Sequence, residues 1–75
     1  MSYDVSAAKI AADVDMWITG RNAERNREIL KRHLIDGPTF EDLAYEFQLS
    51  VTHTKAIVYK AKAKLFRHVQ YPLDK

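Results

Sequence analysis

The carboxyl-terminal part of the chain concentrates positive charge that could meet an anion. Residues 47–75 carry six basic side chains and one acidic side chain, whereas residues 1–46 carry six basic and nine acidic ones. Between Phe47 and Leu73 there is no carboxylate. A block of like charge is often only a solvated surface. It indicates binding where its residues lie on an element shaped to meet the anion.

The element that carries this charge is predicted to be a helix at about Val51–Phe66, with Ser50 as its cap. Apolar residues and one threonine recur in it at spacings of three and four, which predicts a buried stripe. The stripe comprises Thr54, Ile57, Val58, Ala61 and Leu65. The opposite face of the helix must then be exposed.

This exposed face combines small polar groups, methyl groups and ammonium groups. It carries Val51, Thr52, Lys55, Ala56, Tyr59 and Lys60, with His53, Lys62 and Lys64 towards its sides. Such groups read base edges and thymine methyls in a DNA major groove, while the flanking lysines and His53 contact the DNA backbone. The N-terminal end of such a helix usually points into the groove, so Val51, Thr52 and Lys55 are the first candidates. Simpler interpretations stay open: Tyr59 packs on a neighbouring helix, and the lysines and His53 only face solvent.

A shorter helix at about Phe40–Phe47 is predicted to position this one. Thr39 and Asp42 form a capping-box-like pair at its start. Two helices joined by a turn of three or four residues cross steeply, and the small Ala44 suits their closest approach. Free amides at the two helix starts, beside Thr39 and Ser50, could receive phosphate oxygens. We therefore interpret the acidic helix as a scaffold for the basic one.

The remaining sequence predicts two further helices and no strand, because no stretch alternates between apolar and polar residues. The first runs from about Val5 to Ile18, capped by Asp4 and ended by Gly20. The second runs from about Ala23 to Asp36, with Asn22 as its cap and Gly37 and Pro38 at its end. Their predicted core residues are Ile10, Val14, Trp17 and Ile18 in the first helix and Ile29, Leu30 and Leu34 in the second. The predicted fold is an all-α, four-helix single domain spanning residues 1–75.

Composition argues against several classes of function. The chain of 75 residues has no cysteine, so it can form neither a disulfide nor a thiolate metal site. His33, His53 and His68 lack metal-ligand spacing. There is no Gly-rich phosphate loop and no pairing of a nucleophile with a base, so we expect neither an enzyme nor a bound cofactor or metal. Without a signal-peptide pattern or an apolar run of about 20 residues, we expect a cytoplasmic protein with no membrane association.

The stretch "ERNREILKRHLIDGPTFEDLAYEFQLSVTHTKAIVYKAKAKL" resembles region four of bacterial sigma factors. That family shows a charged "ER-D/N-RE-I-L" helix, a Gly-containing turn, "T-Y/F-E-E/D-I/L-A", then "L-S-V-S-T-V-K" and an Ala/Lys/Arg run. The match covers residues 24–65, somewhat more than half of the chain. LuxR-type output domains and many phage or mobile-element regulators share the same core.

The resemblance implies a helix-turn-helix within residues 24–66 that recognises promoter DNA and touches RNA polymerase. It implies base-facing positions for Thr52, Lys55, Ala56 and Tyr59. It implies contacts to the DNA backbone for Thr39, Lys60, Lys62 and Arg32. Two residues depart from the family pattern: Gln48 stands where Gly is usual, and Thr54 stands where an aliphatic residue is usual. No segment for a −10 element is evident, so we expect a stand-alone regulator, bacterial or phage-encoded and nucleoid-associated.

Three functions are therefore in competition. The first is a sequence-specific reader of double-stranded DNA that regulates transcription, with residues 1–20 available for homodimerisation. The second is an adaptor that binds RNA polymerase or another regulator through the charged residues Arg25, Glu28, Lys31 and Arg32. The third is an architectural or excision accessory protein of a mobile element, which would bind DNA in order to bend it.

Overall fold

A computed structural model describes residues 6–69, which form four helices with no strand among them. They are α1 (Ala7–Trp17), α2 (Ala23–Lys31), α3 (Phe40–Phe47) and α4 (Val51–Phe66), and a π-helical turn, Arg32–Asp36, extends α2. The predicted bounds of α3 and α4 are confirmed. The second helix also reaches Asp36 as predicted, but its last turn is widened: the Gly37 N–H bonds the Arg32 carbonyl at 3.2 Å, five residues back.

Local side-chain hydrogen bonds explain where three of the helices begin. The hydroxyl oxygens of Thr39 and Ser50 accept from the backbone N–H of Asp42 and His53, both at 3.0 Å, as the capping pattern predicts. At α1 the cap is Ser6, whose hydroxyl oxygen accepts from the Lys9 N–H at 3.1 Å. Ser6 thus takes the role predicted for Asp4, which itself lies outside the described residues.

The prediction that Asn22 caps α2 through its side chain is wrong. Asn22 has a left-handed backbone, φ 59°, and makes no side-chain capping bond. A capping side chain needs an extended backbone to reach the first free amides, so the left-handed conformation removes that option. Gly20 also has a positive φ, 97°. Arg27 of α2 holds the end of the first helix in place, because its Nε donates to the Ile18 carbonyl at 2.7 Å.

The connection between α3 and α4 keeps a tight helix ending despite Gln48. Gln48 adopts φ 58°, the left-handed region that glycine usually fills at about 1 kcal/mol less cost. Its N–H bonds the Tyr45 carbonyl at 3.3 Å, and the Leu49 N–H bonds the Ala44 carbonyl at 2.9 Å. This pair of bonds is the common arrangement at a glycine-ended helix. The connection between α3 and α4 is therefore only three residues long, residues 48–50, and its hydrogen bonds fix how α4 lies against α3.

The core lies between α4 and the other helices. All five residues of the predicted α4 stripe are buried, together with Ile29 and Leu30 from α2 and Leu43 and Ala44 from α3. Thr54 fits there because its hydroxyl donates to the Ser50 carbonyl, one turn back, at 2.9 Å. Three apolar residues follow α4 in the sequence, and we predict that they fold back onto apolar surface: Val69, Tyr71 and Leu73. Val69 packs against this core, and Tyr71 and Leu73 lie outside the described residues.

Helix α1 contributes its apolar stripe to the same core. Val14 and Ile18 are buried, and Ile10 and Trp17 pack against them. The Trp17 ring also stacks on His68, with ring centroids 3.8 Å apart. These four apolar residues are thus occupied within the chain, whereas Met16 on the same helix is exposed. Homodimerisation through residues 1–20 stays a prediction. No helix among residues 6–69 is both long enough and apolar enough to cross a membrane.

Candidate nucleic-acid interface

The face of α4 that points away from the core presents the predicted mixture of groups. Thr52, Lys55, Ala56 and Tyr59 are exposed, and so is Lys60 beside them. Val51 differs from the other base-contact candidates, because it is half-buried at the first turn. We call the five exposed residues the reading face; it is continuous over two turns of α4.

One edge of the reading face rests on Phe40, the first residue of α3. The Tyr59 ring meets Phe40 edge-on at a centroid distance of 5.8 Å, and the Lys55 Nζ lies 5.7 Å from the Phe40 ring centroid. Tyr59 nevertheless stays 56% exposed. Phe40 therefore orients two candidate contact residues through aromatic and cation–π contacts. The sequence did not reveal this role, because Phe40 lies one turn before Leu43 and Ala44. That spacing is typical of a core residue.

The His33 ring packs against the Phe40 ring. The two rings stack at a centroid distance of 5.4 Å. The Nδ1 atom of His33 is buried and makes no hydrogen bond within the described structure. Burial lowers the pKa of His33 below its usual 6.5, and the nearby Lys62 ammonium lowers it further. His33 is therefore a neutral ring that backs the aromatic edge of the reading face.

The lysines of α4 have no carboxylate partners among residues 6–69. The ion pairs of that region join Lys9 to Asp13, Lys31 to Asp15 and Glu28, and Arg32 to Asp36 and Glu46. None involves Lys55, Lys60, Lys62 or Lys64. The charges of Lys9, Lys31 and Arg32 are thus balanced in place, while those of the α4 lysines stay available to an external anion.

Arg32, a predicted contact to the DNA backbone, is held by two carboxylates. Its Nε and Nη2 donate to Glu46 Oε1 at 3.0 and 2.8 Å, and its Nη1 donates to Asp36 Oδ2 at 2.6 Å. These bonds raise the pKa of the guanidinium, with the Glu46 bond as the largest cause. They tie the end of α2 to α3. The structure gives Arg32 a bridging position, and its contact with DNA stays a prediction.

Thr39 and Ser50 keep one hydrogen-bonding function free. Their oxygens accept the capping bonds, but each hydroxyl can still donate, and both residues are exposed. They stand at the first turns of α3 and α4, where backbone amides also lack helical partners. His53 is exposed in the first turn of α4, and Lys62 is half-buried on the side of α4 near His33.

A groove with a volume of about 410 Å³ runs along the other side of α4. Its α4 wall includes His53, Ala56, Lys60 and Lys64, and its opposite wall is the α1–α2 connection with Arg21 and Asn22 and the first turns of α2 with Asn26. We call it the basic groove. Sequence reasoning missed Arg21 and Asn22 as site residues, because no helical period places them beside α4.

Metal-ligating side chains do not gather at this surface. Among residues 6–69, no three His, Asp or Glu residues are placed to hold a metal ion. The positive groups and hydrogen-bond donors are instead spread along α4 and its two flanks. That arrangement suits an extended anion better than a small chelated ion.

Comparison with known proteins returned no match: no protein-family model, no curated protein and no solved structure is similar to this chain. The resemblance to region four of sigma factors therefore stays a prediction that rests on the residues quoted above.

Proposed function

We propose that this protein binds double-stranded DNA in a sequence-specific manner and regulates transcription. In this proposal α3 and α4 form a helix-turn-helix, with α4 as the recognition helix. The observation that carries the proposal is the reading face of α4: small, methyl-bearing and hydroxyl groups are exposed between lysines that have no carboxylate partner within residues 6–69.

Dimensions support insertion of α4 into a major groove. A helix with its side chains is about 10–12 Å across, and the major groove of B-DNA is about 12 Å wide. Thr52 and Lys55 stand in the first turns of α4, where base contacts are usual for a recognition helix. Ala56 and the Thr52 methyl offer apolar contact to thymine, and Lys55 offers a donor to guanine or to phosphate.

The adaptor hypothesis receives less support from the structure. It needs the charges on the second helix to be available to a partner. Lys31 Nζ lies 2.8 Å from Asp15 and 3.7 Å from Glu28, and Arg32 is held by Glu46 and Asp36. These partners would have to be exchanged before another protein could use them. The architectural hypothesis uses the same DNA-binding face and differs only in the bend that it imposes on DNA.

The experiment that tests the proposal is selection from a pool of random duplexes at two salt concentrations, with sequencing of the retained DNA. We expect an enriched motif and binding that weakens steeply with salt, as counterion release requires. Binding without an enriched motif would favour the architectural function. Absence of binding at low salt would contradict both DNA-binding functions and leave the adaptor.

A pair of charge-matched variants connects the result to α4. Lys55→Gln/Lys60→Gln removes two charges from the reading face, and Lys9→Gln/Lys31→Gln removes two from α1 and α2. We expect the first variant to lose most of its affinity for the selected duplex and the second to retain it. Circular dichroism of both variants checks that the helices stay folded.

A further inference from the structure

The basic groove is a second positively charged surface, beside the reading face of α4. Its polar side chains are all capable of donating hydrogen bonds: three cations, Arg21, Lys60 and Lys64, together with His53, Asn22 and Asn26 among others. No carboxylate lines it. None of the three cations takes part in an ion pair within residues 6–69.

We propose that the basic groove holds backbone phosphates of the bound DNA, on the strand that passes the Lys60 side of α4, with Arg21 and Lys64 as the principal contacts. This inference rests on the proposed function, and it assigns a DNA-contacting role to the α1–α2 connection, outside residues 24–66.

The position of the groove relative to the reading face carries the argument. Ala56 and Lys60 belong to both surfaces. Because an inserted helix nearly fills the width of the major groove, the two DNA strands must pass along its two flanks. One flank of α4 is the Phe40 edge with Lys55. The basic groove is the other flank, so a strand whose bases meet Ala56 has its phosphates beside Arg21 and Lys64.

The wall that carries Arg21 is also held in place. The Arg27 Nε donates to the Ile18 carbonyl at 2.7 Å, and the Asn26 N–H donates to the Asn22 carbonyl at 2.9 Å. These bonds fix the connection against α2 before any ligand arrives. A preorganised wall reduces the ordering cost of binding. The basic groove also places hydrogen-bond donors of several kinds around one space, which suits a phosphate with its several acceptor oxygens.

The test compares the full-length wild-type chain with Arg21→Gln, Lys64→Gln and Lys9→Gln. Each variant removes one positive charge, and Lys9 lies on α1 with no part in the groove. Affinity is measured for the selected duplex and for a scrambled duplex over a series of salt concentrations. Thermal melting followed by circular dichroism checks each variant for folding.

We expect Arg21→Gln and Lys64→Gln each to weaken binding to both duplexes by on the order of tenfold. The slope of log affinity against log salt should become shallower by about one unit per lost contact. The preference for the selected duplex should be unchanged, because a phosphate contact carries no direct sequence information. Lys9→Gln should behave like the wild type.

Other outcomes separate the two proposals. If the wild type binds its motif and both groove variants match Lys9→Gln, the inference is overturned and the proposed function stands. If the wild type binds no duplex, both fail. A free phosphate compound is the other source of the same chemistry, so the wild type and Arg21→Gln are also titrated with inorganic phosphate and a mononucleotide. Binding is followed by the backbone amide NMR signals of Lys60 and Lys64, which line the groove in both proteins. The inference is overturned if the mononucleotide binds the wild type saturably at micromolar concentration, and if Arg21→Gln loses this binding but keeps the wild-type affinity for the duplex. That result would assign the groove to a small ligand.

Discussion

Arg32 and Glu46 form a two-point contact across the helices, with Arg32 Nε and Nη2 donating to Glu46 Oε1 at 3.0 and 2.8 Å. The contact joins the π-helical end of α2 to the last turn of α3. It therefore constrains the scaffold helix that supports α4. It also occupies a cation for which the family resemblance implies a phosphate contact.

We expect Arg32→Gln to lower the melting temperature and to leave the salt dependence of DNA binding unchanged. The lost bonds are internal to the protein, and exposed ion pairs are weak and screened by salt, so the loss of stability should shrink at high salt. Thermal melting and binding titrations check the two halves of this prediction. A salt slope that falls by about one unit would instead show that Arg32 contacts phosphate.

Phe40 and Tyr59 should be coupled energetically, because their rings meet edge-on. We expect a double-mutant cycle with Phe40→Leu and Tyr59→Leu to give a coupling free energy of about 0.5–1.5 kcal/mol. Urea unfolding of the four proteins measures it. A pairing of Phe40→Leu with Thr52→Ala, which lies outside this contact, supplies the control and should be additive.

The fold should lose stability in mild acid through His33. Its pKa is lowered in the folded state, first by burial and then by Lys62, so the unfolded chain binds the proton more readily. The contribution of His33 to the free energy of unfolding is fully present above about pH 6.5, the pKa of histidine in the unfolded chain. It is lost as the pH falls below that value. We expect His33→Phe, which retains a ring against Phe40, to show a smaller fall between pH 7.5 and 5.5 than the wild type. Urea midpoints at the two pH values measure this.

The matched variant for His33 is His53→Gln, which removes an exposed imidazole in the first turn of α4. Its urea midpoint should fall with pH as steeply as that of the wild type. An equal effect of both variants would show that the acid sensitivity does not come from the half-buried ring of His33.

Helix α1 should act as part of the core and not as a detachable dimerisation segment. Val14 is fully buried, whereas Met16 is 64% exposed on the same helix. We expect Val14→Ala to cost about 2 kcal/mol of unfolding free energy and Met16→Gln to cost almost nothing. Urea unfolding measures both variants. Sedimentation measures their assembly, and an oligomer that Met16→Gln dissociates would contradict this view of α1.

The elements that sequence predicted well are those set by local chemistry. Thr39 and Ser50 bond amides three residues ahead, and the α4 stripe repeats with the helical period, so the bounds of α3 and α4 and all five stripe residues could be read from nearby residues. Even Thr54 was explained by a bond to its own preceding turn. These interactions span no more than one turn of helix.

The parts that sequence did not predict depend on contacts between distant segments. Asn22 is a common capping residue, and only its left-handed backbone in the folded chain prevents that role. The basic groove brings Arg21 beside Lys64, and the aromatic edge brings His33 and Tyr59 to Phe40. No periodic pattern records such encounters. The exposed face of α4 and the residues at its sides could be predicted from the sequence, but the residues of other segments that pack beside them could not.

The stacked pair of Trp17 and His68 joins the end of the first helix to the residues just after the last one. Closing so long a loop is costly in chain entropy, so this pair should be among the last contacts to form during refolding. The chain has one tryptophan. Its fluorescence would therefore time the final step of folding, and would show whether the two ends of the domain detach together or separately.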